Sequence, residues 1–227
     1  MRRGPFDPSF DELPGVVPIF PLSGVLLLPG GKLPLNIFEP RYLAMTRDAL
    51  AGDRIIGMIQ PAPYREAAPD AADSPWPPVY PTGCAGRITS FAETDDGRYL
   101  ITLTGLCRFN LAEELALHPD GYRRVVPDFA PYRQDLEAEA DAPIDRPRLC
   151  KALRAYFGLQ GISVDWEAIE KTGDEKLVTS LAMICPFEPS EKQALLESAN
   201  LTERCHRMTA LMEMAVLNGA AEDTPRH

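Results

Sequence analysis

A chain of 227 residues, 45% of them apolar and 25% charged, has the composition of a soluble globule and the length of one domain or two modest ones. Its net charge of −10 is spread evenly, with 12 Lys+Arg against 16 Asp+Glu in residues 1–130 and 11 against 17 in residues 131–227, so neither half is basic enough to neutralise nucleic-acid phosphates. The five cysteines are an odd number, far apart and without a CxxC pair, which argues against a disulfide scaffold or a zinc ribbon and reads as small buried hydrophobes kept reduced in a cytoplasmic protein.

Residues 1–12 read as a flexible leader. Two arginines are followed there by Asp7, Asp11 and Glu12 instead of an apolar core, so the segment is not a signal peptide. The longest apolar run, residues 16–28, is interrupted by Pro18 and Pro21 and falls short of the roughly 20 residues a membrane helix needs.

Residues 16–22 predict a first strand whose prolines suit an edge or a bulge. Turns at Ser23-Gly24 and Pro29-Gly30-Gly31 flank a short apolar run. Gly30-Gly31-Lys32 does not make a phosphate loop, which needs Ser or Thr after the lysine where Leu33 stands. From residue 33 to residue 50 the period changes. Leu33, Leu35 and Ile37 alternate as in a strand, apolar enough on both faces to lie inside. After Glu39, Pro40 suits a first helical position, and Tyr42, Leu43, Met45, Thr46 and Leu50 recur at helical intervals. A strand therefore runs straight into a helix. At this corner Glu39 is placed to accept from free helix N–H groups and Arg41 to pair with a carboxylate across the fold.

A short buried strand is expected at 54–59. Residues 60–82 hold seven of the chain's 23 prolines together with Trp76 and Tyr80, and such a stretch predicts a long surface loop that cannot pair as sheet. Strands follow at 84–94, 99–103, 106–112 and 122–129, with Asp95-Asp96-Gly97-Arg98 as a hairpin signal, so the first 130 residues predict a small barrel or curled sheet. The five acids from Asp135 to Asp145 read as a solvated linker over 131–146. A helical half covers 147–218, before a tail at 219–227. In it Leu149, Leu153, Tyr156 and Phe157 share one face. Ser163, Asp174 and the Ser190/Gln193 pair are expected caps, and Leu201, Cys205, Met208, Leu211, Met212 and Val216 draw a stripe down the last helix.

Residues 16–42, VVPIFPLSGVLLLPGGKLPLNIFEPRY, resemble the start of the Lon amino-terminal domain, the substrate-binding domain of ATP-dependent Lon proteases. The string PLNIFEPRY is most similar to the free-standing branch of that family. GCAGRITSF and DGRYLITLTGLCRF continue the resemblance, which covers roughly residues 13–217. It implies an α+β fold, a PUA-like β pseudobarrel over 13–130 followed by an α-helical bundle. It also implies a non-catalytic module that binds non-native polypeptide or a protein partner, without the ATPase and protease domains.

Neither composition nor motifs supply an engine. No G-x-S-x-G elbow occurs, and His118, His206 and His227 lack metal-ligand spacing, so no catalytic residue, metal or cofactor is expected. Binding is expected through Trp76 and Tyr80 as loop anchors, with Arg41 and Tyr42 at the corner. Two alternatives stand beside this: an RNA-binding PUA-like module, and a small hydrolase with an unrecognised site.

Overall fold

The computed structural model describes residues 6–63, 76–137 and 143–222. Six strands form one mixed sheet in the order β2-β5-β4-β3-β1-β6: β1 (Val17–Pro21), β2 (Lys32–Ile37), β3 (Ile55–Ile59), β4 (Thr82–Glu93), β5 (Tyr99–Glu114) and β6 (Arg123–Asp128). β5 also pairs with β6, so the sheet curls until its far strand meets its longest one. Helix α1 (Pro40–Ala51) follows β2, and α2 (Arg146–Gln160), α3 (Trp166–Lys171), α4 (Asp174–Ile184), α5 (Pro189–Leu196) and α6 (Leu201–Glu222) complete the chain. No helix among the described residues is long and apolar enough to cross a membrane.

The predicted strand-to-helix corner is present, with Glu39 as the N-cap residue and Pro40 opening α1. β2, however, is an edge strand with Lys32, Pro34 and Asn36 exposed, where alternation of apolar residues had suggested burial on both faces. Pro34 fits there because an edge strand has no partner on one side. β1 reverses the opposite expectation and lies inside the sheet. β6 pairs with it over Val17 to Ile19 and β3 over Ile19 to Pro21, so each proline has a ladder partner on one side only.

The expected strands at 99–103 and 106–112 are one continuous β5, with its irregularity near Gly105 taken up as a register shift against β4. The hairpin at Asp95 to Arg98 forms as predicted, closed by Thr94 N–H to Arg98 O at 3.0 Å with Gly97 at positive φ. The proline-rich loop pairs at its ends, contrary to expectation. Pro61 bridges Val79, and the Tyr80 N–H reaches Gln60 O at 2.9 Å; residues 64–75 lie outside the described residues.

Helix caps also shift. Asp165, not Ser163, accepts from Ala168 N to start α3, Gly173 precedes Asp174 at the start of α4, and Glu188 with Glu191 replaces Ser190/Gln193 at α5 because Pro189 takes the first helical position. The buried faces of α2 and α6 are those predicted from spacing, with Met214 left in solvent.

One apolar cluster runs through both halves of the chain, joining Leu27, Ile37, Met45 and Leu103 to Leu153, Tyr156, Leu181 and Met208. Across the same junction four buried side chains each bond a backbone carbonyl of the other half. Gln60 donates to Pro189 O (3.0 Å) and Arg108 to Ser198 O (2.6 Å); in return Lys192 donates to Gly24 O (2.9 Å) and Gln193 to Thr82 O (3.1 Å). Buried donors must be satisfied, so these bonds hold only in one mutual orientation of sheet and helices.

Candidate functional site

The same junction leaves a groove of about 430 Å³ where the turn before β2 faces α4. One wall is Pro29, Gly30 and Gly31; the other is Thr179, Met183 and Ile184, with Lys32 and Lys176 at the rim. The turn is fixed by a reciprocal pair of backbone bonds, Gly30 N–H to Gly105 O and Gly105 N–H to Gly31 O, both 2.9 Å. Glycine is needed at the Gly105 end, where the obstacle is backbone, while at Gly31 the obstacle is a flexible side chain. A Cβ on Gly105 would collide with Leu28 O, and one on Gly31 would collide with Met183 Sδ. Met183 thus reaches the turn from the α4 wall, while Ile184 stays 70% exposed at the groove's lip. Most of the lining surface is apolar and the volume suits a few side chains.

The groove continues into a polar pit of about 30 Å³, room for one or two waters, bounded by Arg108, Asp135 and Arg204. Asp135 stands in the stretch expected to be a solvated linker. Instead residues Ala130–Leu136 form a 3₁₀ turn packed on β5, with Leu136 buried and Asp135 clamped by Arg108.

The four residues singled out from sequence lie elsewhere. Tyr80 is only 6% exposed, so its ring is part of the core where a projecting loop anchor was expected. Trp76 is half-buried at the loop's return. Tyr42 is buried against Phe20, ring centroids 4.2 Å apart, and burial raises its phenol pKa. Arg41 pairs with Glu39 two residues before it, Nη2 to Oε2 at 2.8 Å, and among the described residues with no carboxylate across the fold; it lies over the Tyr42 ring at 4.5 Å. The Glu39 carboxylate accepts from Arg41 and makes no bond to the helix N–H groups. None of the four lines the groove.

The buried thiols are chemically quiet. Burial first, then the Asp135 charge, pushes Cys107 up to about 12, and burial pushes Cys185 to about 12 and Cys84 higher than its usual value. A protonated buried thiol is neither nucleophile nor metal ligand.

Comparison with known proteins gives one answer. A model of the family described as ATP-dependent protease La (LON) substrate-binding domain matches residues 16–214. Lon protease of Anaeromyxobacter dehalogenans is 30% identical over 206 residues, and Lon protease 2 of Myxococcus xanthus 27% over 205, each alignment covering 89% of this chain. The chain spans about a quarter of these relatives, 23% and 24% of their length. The fold is that of a Lon N-terminal domain protein from Xanthomonas campestris (TM-score 0.56, 20% identity, 86% of this chain and 97% of that one). It is equally that of the N-terminal domain of a Mycobacterium avium complex Lon protease (TM-score 0.55, 16% identity, 87% and 98%). The chain belongs to the LON substrate-binding domain family.

Proposed function

We propose that the chain is a non-catalytic, cytoplasmic polypeptide-binding module that holds flexible or non-native protein along the groove between the Pro29 to Lys32 turn and α4. The observation that carries this is the match of residues 16–214 to a substrate-binding domain. Several features support the reading. The groove is open and apolar, its walls belong to two halves locked by reciprocal hydrogen bonds, and the buried thiols stay protonated. The curl of the sheet, with β6 returning to β5, supports a PUA-like pseudobarrel as its architecture. Trp76, at the return of the proline-rich loop, is proposed as a secondary contact.

Titration of a labelled, permanently unfolded protein into the chain at low and high salt tests the proposal. Apolar contact predicts saturable binding that changes little with salt, whereas a nucleic-acid-type site weakens steeply. Failure to bind any flexible chain overturns it.

A further inference from the structure

Asp48 lies in the last turn of α1, and His118 and Asp120 lie in the loop between β5 and β6, some 70 residues later. Their ligand atoms fall within 4.8 Å of one another. We propose that these three residues bind a divalent transition-metal cation of the zinc type, tying α1 to the β5–β6 loop.

The loop is already shaped for this. His118 N–H bonds Tyr122 O at 3.0 Å, Gly121 N–H bonds His118 O at 2.8 Å, and Gly121 has the positive φ that glycine adopts freely. Tyr122 then fixes two of the three donors. Its ring stacks on the His118 imidazole at 4.2 Å, and its hydroxyl donates to Asp48 Oδ2 at 2.7 Å, which orients that carboxylate as an outer partner orients a metal ligand.

The pair in the loop has the spacing of two ligands on one cation. His118 Nδ1 lies 3.4 Å from Asp120 Oδ2, and its contact with the Asp120 N–H is long, 3.3 Å, so a metal could displace it. Ligands about 2.1 Å from a tetrahedral zinc are separated by roughly 3.4 Å, so the observed gap is the edge of such a coordination shell. Among the described residues neither Asp48 nor Asp120 pairs with a lysine or arginine. One nitrogen and two oxygens favour zinc, cobalt or manganese over magnesium or calcium, and water completes the shell.

Chelator-treated protein titrated with Zn²⁺ by calorimetry, and with Co²⁺ by absorbance, tests this against His118→Ala and Asp120→Asn. Both positions are on a surface loop, and thermal melts in chelator show that each variant is folded. The expected result is one equivalent of Zn²⁺ bound at least tenfold more tightly than Mg²⁺, an affinity at least tenfold lower in both variants, and a tetrahedral cobalt spectrum without a thiolate band. Absence of saturable Zn²⁺ binding, unchanged affinity in both variants, or a thiolate band from a cysteine site would overturn the proposal.

Discussion

Arg108 and Asp135 face each other almost wholly out of solvent, 2% and 7% exposed, with Nη2 to Oδ1 at 2.7 Å and Nε to Oδ2 at 2.9 Å. The same guanidinium donates to Leu196 O and Ser198 O and lies over the Tyr132 ring at 4.6 Å. A strand, a 3₁₀ turn and the end of α5 therefore meet on one charge. Asp135→Ala leaves that charge buried with its carboxylate gone, and such half-pairs cost about 3–5 kcal/mol. Urea unfolding should show a loss of this size, while Arg108→Met combined with Asp135→Leu should lose clearly less than the single variant.

The corner at residues 39–42 divides into an inert pair and a structural ring. Arg41 and Glu39 are 41% and 43% exposed, and exposed ion pairs contribute about 0–1 kcal/mol, so Arg41→Ala should leave stability within about 1 kcal/mol. Tyr42→Ala removes a buried aromatic from its contact with Phe20 and should cost about 3–5 kcal/mol. Equal losses in the two variants by thermal or urea unfolding would contradict this division.

Local signals carried much of the fold. The change of period after Ile37 revealed strand then helix, Asp96-Gly97 revealed a hairpin, and spacing revealed the buried faces of α2 and α6. What local signals miss is pairing at a distance. Five acids within eleven residues look solvated because nothing nearby says that Arg108, 27 residues earlier, will desolvate one of them. Proline-rich composition forecast a loop but not that its returning end would bury Tyr80. Histidine spacing along the chain could not bring Asp48 beside His118, since helix α1 and the β5–β6 loop meet only through the curl of the sheet. The groove left one trace in the sequence, Gly30-Gly31 before an edge strand, and its other wall is made by α4 more than 140 residues later.

Alkali should expose the cost of the buried thiols. Cys107 is raised to about 12 by burial and then by Asp135, above the usual thiol value near 8.5. A group whose folded pKa is raised contributes stability that is fully present below the unfolded pKa and lost as pH rises toward the folded one. Between about pH 9 and 11 the wild type should therefore lose up to about 1.4 kcal/mol per pH unit more than Cys107→Ala. Urea midpoints at pH 8 and pH 10.5 measure the difference; parallel profiles for the two proteins would contradict it.

The most direct test of the central claim is the affinity of groove variants for a labelled unfolded protein. Ile184→Glu puts a charge on an exposed apolar lip, and Met183→Ala removes the side chain beside Gly31 while keeping the backbone carbonyl that accepts from Lys192. Loss of a true anchor costs about 2 kcal/mol, so each variant should bind at least tenfold more weakly, with Ile184→Glu melting within a few degrees of wild type. Wild-type affinity in both groove variants would contradict the account and place polypeptide binding on another face.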